Sequence, residues 1–216
     1  MKARLIAAIL VLLPLLPVNN LYGSEPASKY YPLKPGLTWT YMVTSEKTDN
    51  GKIVITNLPA KEINGVSVTP RKWDMGGVVR YHLMAMDSMG IYRYGEQQDE
   101  NAEPVLTKPK AYSLRDPVAA GTTWDLPSKM GEDELTINLT VESSTDSVTV
   151  PAGTYKDCVK IKHVGGRKGA PISLEAYEWY APEVGLVKSM VTITRVNKDK
   201  SKTAEHLTYQ LESFQP

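Results

Sequence analysis

Cysteine is almost absent: Cys158 is the only one in 216 residues. A lone thiol excludes any internal disulfide, so an exported chain with this sequence has to hold itself together by its core. Histidine is nearly as scarce. His82, His163 and His206 fall in three different segments, with none of the i, i+2 or i, i+4 spacings that put two imidazoles on one metal. No metal ligand set and no cofactor is expected. The chain has no G-x-S-x-G elbow, no phosphate-binding glycine loop and no dinucleotide fingerprint.

Charge of one sign is never concentrated. Lysine and arginine number 25 and aspartate and glutamate 24, and they are interspersed. Nucleic-acid binding and polybasic membrane anchoring both need a concentrated basic face, so neither is expected. Long apolar runs are missing after residue 23, which excludes a later membrane-spanning helix. Helical periodicity is missing as well: no segment repeats apolar residues at i, i+3, i+4 and i+7 over three turns.

The opening, "MKARLIAAILVLLPLLPVNNLYG", has Lys2 and Arg4 before an uncharged apolar run from Leu5 to Val18. That run is too short to span a bilayer and is broken by Pro14 and Pro17. It is read as a signal peptide of residues 1–23, cut after Gly23, the alternative being an uncleaved anchor. No cysteine follows the cut to accept a lipid. Residues 24–216 are expected to form a single all-β domain, periplasmic or secreted. Their 23 basic and 24 acidic residues leave them close to neutral.

Two-residue alternation dominates this mature part. "ELTINLTVES" sets Leu135, Ile137, Leu139 and Val141 on one face, as in a half-buried antiparallel strand. "VVRYHLMAM" separates Val79, Tyr81, Leu83 and Ala85 from Val78, Arg80, His82, Met84 and Met86. Asn50-Gly51, Asn64-Gly65, "DSMG" at 87–90, "APEVG" at 181–185 and "NKDKS" at 197–201 have the chemistry of tight reversals. From Tyr155 to Phe214 the pattern predicts a four-stranded meander. The stretch 95–128 is the least regular and is expected to be loop-rich, either dividing two sets of strands or interrupting one sheet. In all, about eleven strands are expected in one large curved antiparallel sheet, a half-barrel or open barrel.

Twelve tyrosines and four tryptophans stand against one phenylalanine, a bias toward rings with a polar tip at a wet edge. Trp39 and Tyr41 share a strand face, as do Tyr177 and Trp179. Together these four are the candidate ligand-binding residues, a greasy floor for an apolar ligand or peptide, the alternative being that they are core. Cys158 reads as a small buried hydrophobe rather than a nucleophile. On a regular strand His163 faces away from it, leaving only His82 or His206 to act as a base. Glu175 and Glu178, three apart, fall on opposite faces, which argues against a paired-carboxylate site. No catalytic residue is assigned.

Three segments resemble a family of uncharacterised bacterial exported β-proteins, the TapB-like group of unknown function. They are "YYPLKPGLTWTY", "VTVPAGTYKDCVKI" and "EWYAPEVGLVKS", and the resemblance runs over about residues 30–213. It implies a curved antiparallel sheet like those of periplasmic lipoprotein carriers, no defined catalytic residues, and framework roles for Cys158 and the A-P-E-V-G turn. The functional expectation is a non-enzymatic envelope module that binds a lipid, another apolar ligand or an envelope protein. A structural or assembly protein is the alternative, with a hydrolase ranked last.

Overall fold

The computed structural model describes residues 25–46, 51–130, 133–166 and 171–216, and side chains within these except at 129–130 and 133–135. The leader proposed for residues 1–23 and Asn50 of the first predicted turn lie outside the described residues. One short helix, α1 (Ala27–Tyr30), precedes thirteen strands. These are β1 (Thr38–Ser45), β2 (Gly51–Asn57), β3 (Lys61–Ile63), β4 (Val66–Asp74), β5 (Val79–Asp87), β6 (Gly90–Gln97) and β7 (Val105–Arg115). They are followed by β8 (Thr123–Met130), β9 (Asp133–Val150), β10 (Gly153–Gly166), β11 (Ile172–Ala181), β12 (Gly185–Val196) and β13 (Lys202–Gln215).

Twelve of them form one antiparallel sheet in the order β7-β6-β5-β4-β2-β1-β13-β12-β11-β10-β9-β8, with β3 paired to β4 at the side. The sheet curls until it is nearly closed and barrel-shaped. The two chain ends meet in its middle, where β1 pairs with β13 from Thr38↔Gln215 to Ser45↔Leu207. The two sheet edges, β7 and β8, are neighbours in sequence. They form a seam, spanned by the Trp124 indole, whose Nε1–H donates to the Tyr112 carbonyl at 2.8 Å.

The half-buried alternation holds in β9, where Ile137, Leu139 and Val141 are buried, whereas β5 is buried on both faces, with Tyr81, Leu83 and Ala85 on one and Met84 on the other. The turns follow their chemistry. Asn64 and Gly65 both have positive φ, at 50° and 75°, as a two-residue reversal of right-handed strands requires. The last four strands form the predicted meander. The large curved antiparallel sheet is as expected. One expectation needs correction: the stretch 95–128 is not mainly loop, since it contains β7 and most of β8. Pro109 and Pro127 sit in these strands and blurred their pattern. An edge strand tolerates proline because the missing N–H had no neighbour to bond.

The N-terminal segment lies across one end of the barrel. Its backbone is tied down on both sides: Ala27 N–H donates to Asp116 Oδ1 at 2.7 Å, and Glu183 N–H donates to the Lys29 carbonyl at 2.7 Å. Tyr30 and Tyr31 sink into a core with Leu114, Trp124, Val159 and Ile161. A second core forms where the far part of the β9–β10 hairpin bends back, bringing Val148, Val150 and Cys158 against Ala181, Val187 and Leu211. The bend is a bulged stretch, with register slips between Tyr155 and Ile161 and φ 53° at Asp157.

Candidate functional site

Curling the sheet encloses a cavity of about 270 Å³. Its apolar wall is built from Ile55, Met84, Ala111, Leu126, Leu139 and Leu186. Trp39 and Tyr41, two of the four aromatics chosen from sequence, line it and are almost fully buried. Their polar tips are already engaged. Trp39 Nε1–H donates to the Val184 carbonyl and Tyr41 O–H to the Leu186 carbonyl, each at 2.7 Å. Burial pushes the Tyr41 phenol far above its usual pKa. These two residues therefore offer the cavity ring surface and no hydrogen bond.

The cavity's polar side chains come from two groups of strands. On β4, Arg71 is only 7% exposed, although arginine is almost never buried unless paired. Its Nε donates to Asn57 Oδ1 at 2.8 Å and its Nη2 to the Pro32 carbonyl at 3.0 Å. The guanidinium lies over the rings of Tyr31 and Trp39, 4.2 and 4.7 Å from their centroids. It is held by neutral dipoles and π faces, and among the described residues no carboxylate forms an ion pair with it.

Trp73, His82 and Arg93 follow on β4, β5 and β6. The Trp73 and His82 rings pack at 5.2 Å between centroids. Burial, reinforced by the Arg93 charge and by Arg71 and Arg80, and opposed by Glu96, lowers the His82 pKa to about 4, so it is neutral near pH 7. Arg93 straddles the boundary of the cavity. Its Nη1 pairs with exposed Glu96 at 2.8 Å, while its Nε is buried and has no hydrogen-bond partner. Trp73 Nε1 is likewise buried without a partner.

The second group, on β10 and β11, centres on Glu178, and it too contains a buried atom without a hydrogen bond, His163 Nε2. Glu178 Oε2 accepts from Tyr180 O–H at 2.5 Å and lies 3.3 Å from His163 Nε2, within ion-pair reach though poorly aligned as a hydrogen bond. Ser189, its cross-strand neighbour, also donates to it. Burial alone would raise the Glu178 pKa. His163, Tyr180 and Ser189 outweigh that and hold the carboxylate below its usual range.

The four sequence-chosen aromatics do not share one surface. Tyr177 and Trp179 have the opposite parity on β11 from Glu178 and Tyr180, and point away from the cavity. There Lys160 and Lys188 lie over Trp179, Lys160 and Lys162 over Tyr177, and Trp179 Nε1–H donates to Asp146 Oδ2 at 2.9 Å. Glu175 is on that outer face too, bonded to Tyr177. Its separation from Glu178 across the sheet follows the sequence parity.

Cys158 is fully buried, and its thiol is pushed up to about 11, first by burial and then by Asp146 and Asp157. On a regular strand Lys156 and Lys160 would share its face, but the bulge between Tyr155 and Ile161 breaks that regularity. Cys158 and Val159, consecutive in sequence, are both fully buried, each in a different core. His206 is exposed and bonded to Thr192 on the β12–β13 surface. Among the described residues, no three histidine, cysteine or carboxylate side chains gather as a metal site would need.

Sequence reading missed Arg71, Trp73, His82, Arg93, His163 and Glu178 as one set. Each points inward on its own strand, but they converge only once the sheet has curled. The available signal was parity: His82 shares a face with Met84, and Glu178 shares one with Tyr180.

A family model described as DUF3108-like matches residues 126–204, less than half of the chain. That match supports an uncharacterised family, without the TapB-like label. No curated protein matches. Two crystal structures of other proteins are similar. One, from Bacteroides fragilis NCTC 9343, is described as a candidate exported protein with a YmcC-like fold. It is 17% identical over 85% of this chain and 97% of that one, with a TM-score of 0.45. The other, described as a candidate lipoprotein from Parabacteroides distasonis ATCC 8503, is 15% identical over 88% of this chain and 100% of that one, with a TM-score of 0.40.

Proposed function

We propose that the protein is an exported, non-catalytic binding domain of the cell envelope that takes an apolar or amphiphilic ligand into the lumen of its curled sheet. The observation that carries this reading is the lumen itself. It combines an apolar wall with a few convergent polar groups, the usual make-up of a small-molecule site. The leader-like opening of the sequence supports export. Two features favour binding over catalysis. The thiol is buried and protonated at neutral pH. The Glu178 carboxylate, on the cavity wall, is already engaged by Tyr180 and lies beside His163. The Trp124 bridge counts against insertion of a peptide strand at the seam.

The test is to recover the mature protein from the periplasm of an expressing cell, extract it with organic solvent and analyse the extract by mass spectrometry. Uptake of the neutral fluorophore N-phenylnaphthylamine is measured in parallel. A co-purifying small molecule, or saturable fluorophore uptake displaced by it, is the expected result. A clean extract and no uptake would overturn the reading and favour an assembly role.

A further inference from the structure

We infer that the lumen selects a single-chain amphiphile with an oxyanion head, a carboxylate or phosphate, and seats that head against Trp73 and Arg93. The inference rests on the lumen being a ligand site. It adds the sign of the ligand's charge and the place of its head.

The lumen's hydrogen-bonding capacity is unevenly used. On the β10–β11 side, Glu178 accepts from Tyr180, and His163 Nε2 lies 3.3 Å from the carboxylate without an aligned hydrogen bond. On the β4–β6 side the surplus is of donors. Trp73 Nε1 and Arg93 Nε carry hydrogens under any assignment of protons, both are buried, and neither has an acceptor. Leaving buried donors unpaired is costly, and native proteins rarely do it without reason. A ligand that supplies oxygen acceptors offers these donors the partners they lack.

Charge points the same way. Arg71 and Arg93 both line the cavity, and Arg71 is deeply buried with no carboxylate beside it. Glu178 is the one acidic side chain on the wall, and its own donors enclose it. Glu96 pairs with Arg93 from outside, on Nη1, leaving Nε directed elsewhere. Two arginines and one glutamate line the lumen, and it holds unpaired N–H groups, to which an oxyanion forms charge-assisted bonds. Its size limits the rest of the ligand. A volume of about 270 Å³ has room for a head group and a modest alkyl chain. The apolar wall formed by Leu126, Leu139 and Ala111 lies ready for that chain.

The experiment is titration calorimetry of the delipidated mature protein with four probes of equal chain length: decanoate, decyl phosphate, 1-decanol and decyltrimethylammonium. Acetate and inorganic phosphate serve as controls. The two decyl anions are expected to bind at least about tenfold more tightly than decanol, with decyltrimethylammonium weakest. Decanoate against decyl phosphate tells which head is preferred. Arg93→Gln and Trp73→Phe should each weaken the anions by about three- to tenfold and decanol by less, a difference a purely structural role would not produce. Unchanged urea midpoints would establish that both variants fold. If decanol or the trimethylammonium binds as tightly as the anions, the charge inference is overturned while the lumen still stands as an apolar site. If acetate and phosphate bind alone with no gain from the decyl chain, the amphiphile is overturned. If no probe binds, the lumen reading falls with it.

Discussion

His82 should make the fold acid-sensitive over a defined window. In the native protein its pKa is lowered to about 4, by burial first and by Arg93 next. In the unfolded chain it returns to about 6.5. Between these values the unfolded state holds a proton that the native state does not, so stability falls as pH falls. Nothing is lost at or above pH 7. Linkage gives a loss of about 2 kcal/mol at pH 5 and about 3 kcal/mol at pH 4 from this one group. Other groups contribute too: Glu178, with its pKa held low, also loses stabilisation on acidification. The clean measurement is therefore a difference. Urea unfolding midpoints are followed from pH 7.5 to 4 for the native sequence and for His82→Gln, which cannot titrate. The groups facing His82 are Trp73, Arg71, Arg80, Arg93 and Glu96, and the variant leaves all of them in place. The two proteins should converge in stability as pH drops, the native sequence losing about 2 kcal/mol more by pH 5. Parallel curves, within about 0.5 kcal/mol, would refute the reasoning, and so would an NMR titration placing the imidazole near pH 6.5. An oxyanion seated beside Arg93 would raise the His82 pKa, so decanoate should flatten the same curve.

Three further outcomes are expected. Trp124→Phe removes the N–H that spans the seam to Tyr112 and leaves its carbonyl unpaired; a cost of about 1–3 kcal/mol by urea unfolding is expected, and no cost would mean the seam closes by other contacts. Cys158, buried with a thiol at about 11, should resist iodoacetamide at pH 8 until the protein is denatured, so labelling of the folded protein at a free-thiol rate would contradict the packing. Gly90 has φ 130°, and a Cβ there would meet the Leu114 carbonyl oxygen at 2.2 Å. Gly90→Ala should therefore cost at least about 2–3 kcal/mol in thermal or urea unfolding, whereas Gly121→Ala, in open space at φ 90°, should cost less.

The strands that were legible in the sequence are those with one wet and one dry face. β9 is plain because burial alternates along Ile137, Leu139 and Val141, and the turns at 64–65 and 181–185 because their residues suit the required backbone. β7 and β8 were obscured because edge strands accept Pro109 and Pro127 without penalty. The site was harder to read for a different reason. Parity along one strand is a local property, while the meeting of Arg71, His82 and Arg93 with Glu178 depends on sheet curvature and cross-strand register. β11 shows the ambiguity best: Tyr177 and Trp179 on one face, Tyr180 and Ala176 on the other, are both plausible cores by composition. The first pair lies under lysines and the second inside the barrel. Cys158 was placed in the right kind of environment by its chemistry, though the bulge that puts it there has no simple periodic signal.

The ladder between β1 and β13 joins the first strand made to the last. Polypeptides emerge from the ribosome, and thread through an export channel, amino end first. The opening strand must therefore wait for nearly the whole remainder of the chain before its closing neighbour arrives. Until then each half can zip only into an open meander, with Arg71, His82 and Arg93 still bathed in water. Under the binding role proposed above, a ligand would therefore enter only after β13 has been released and paired with β1.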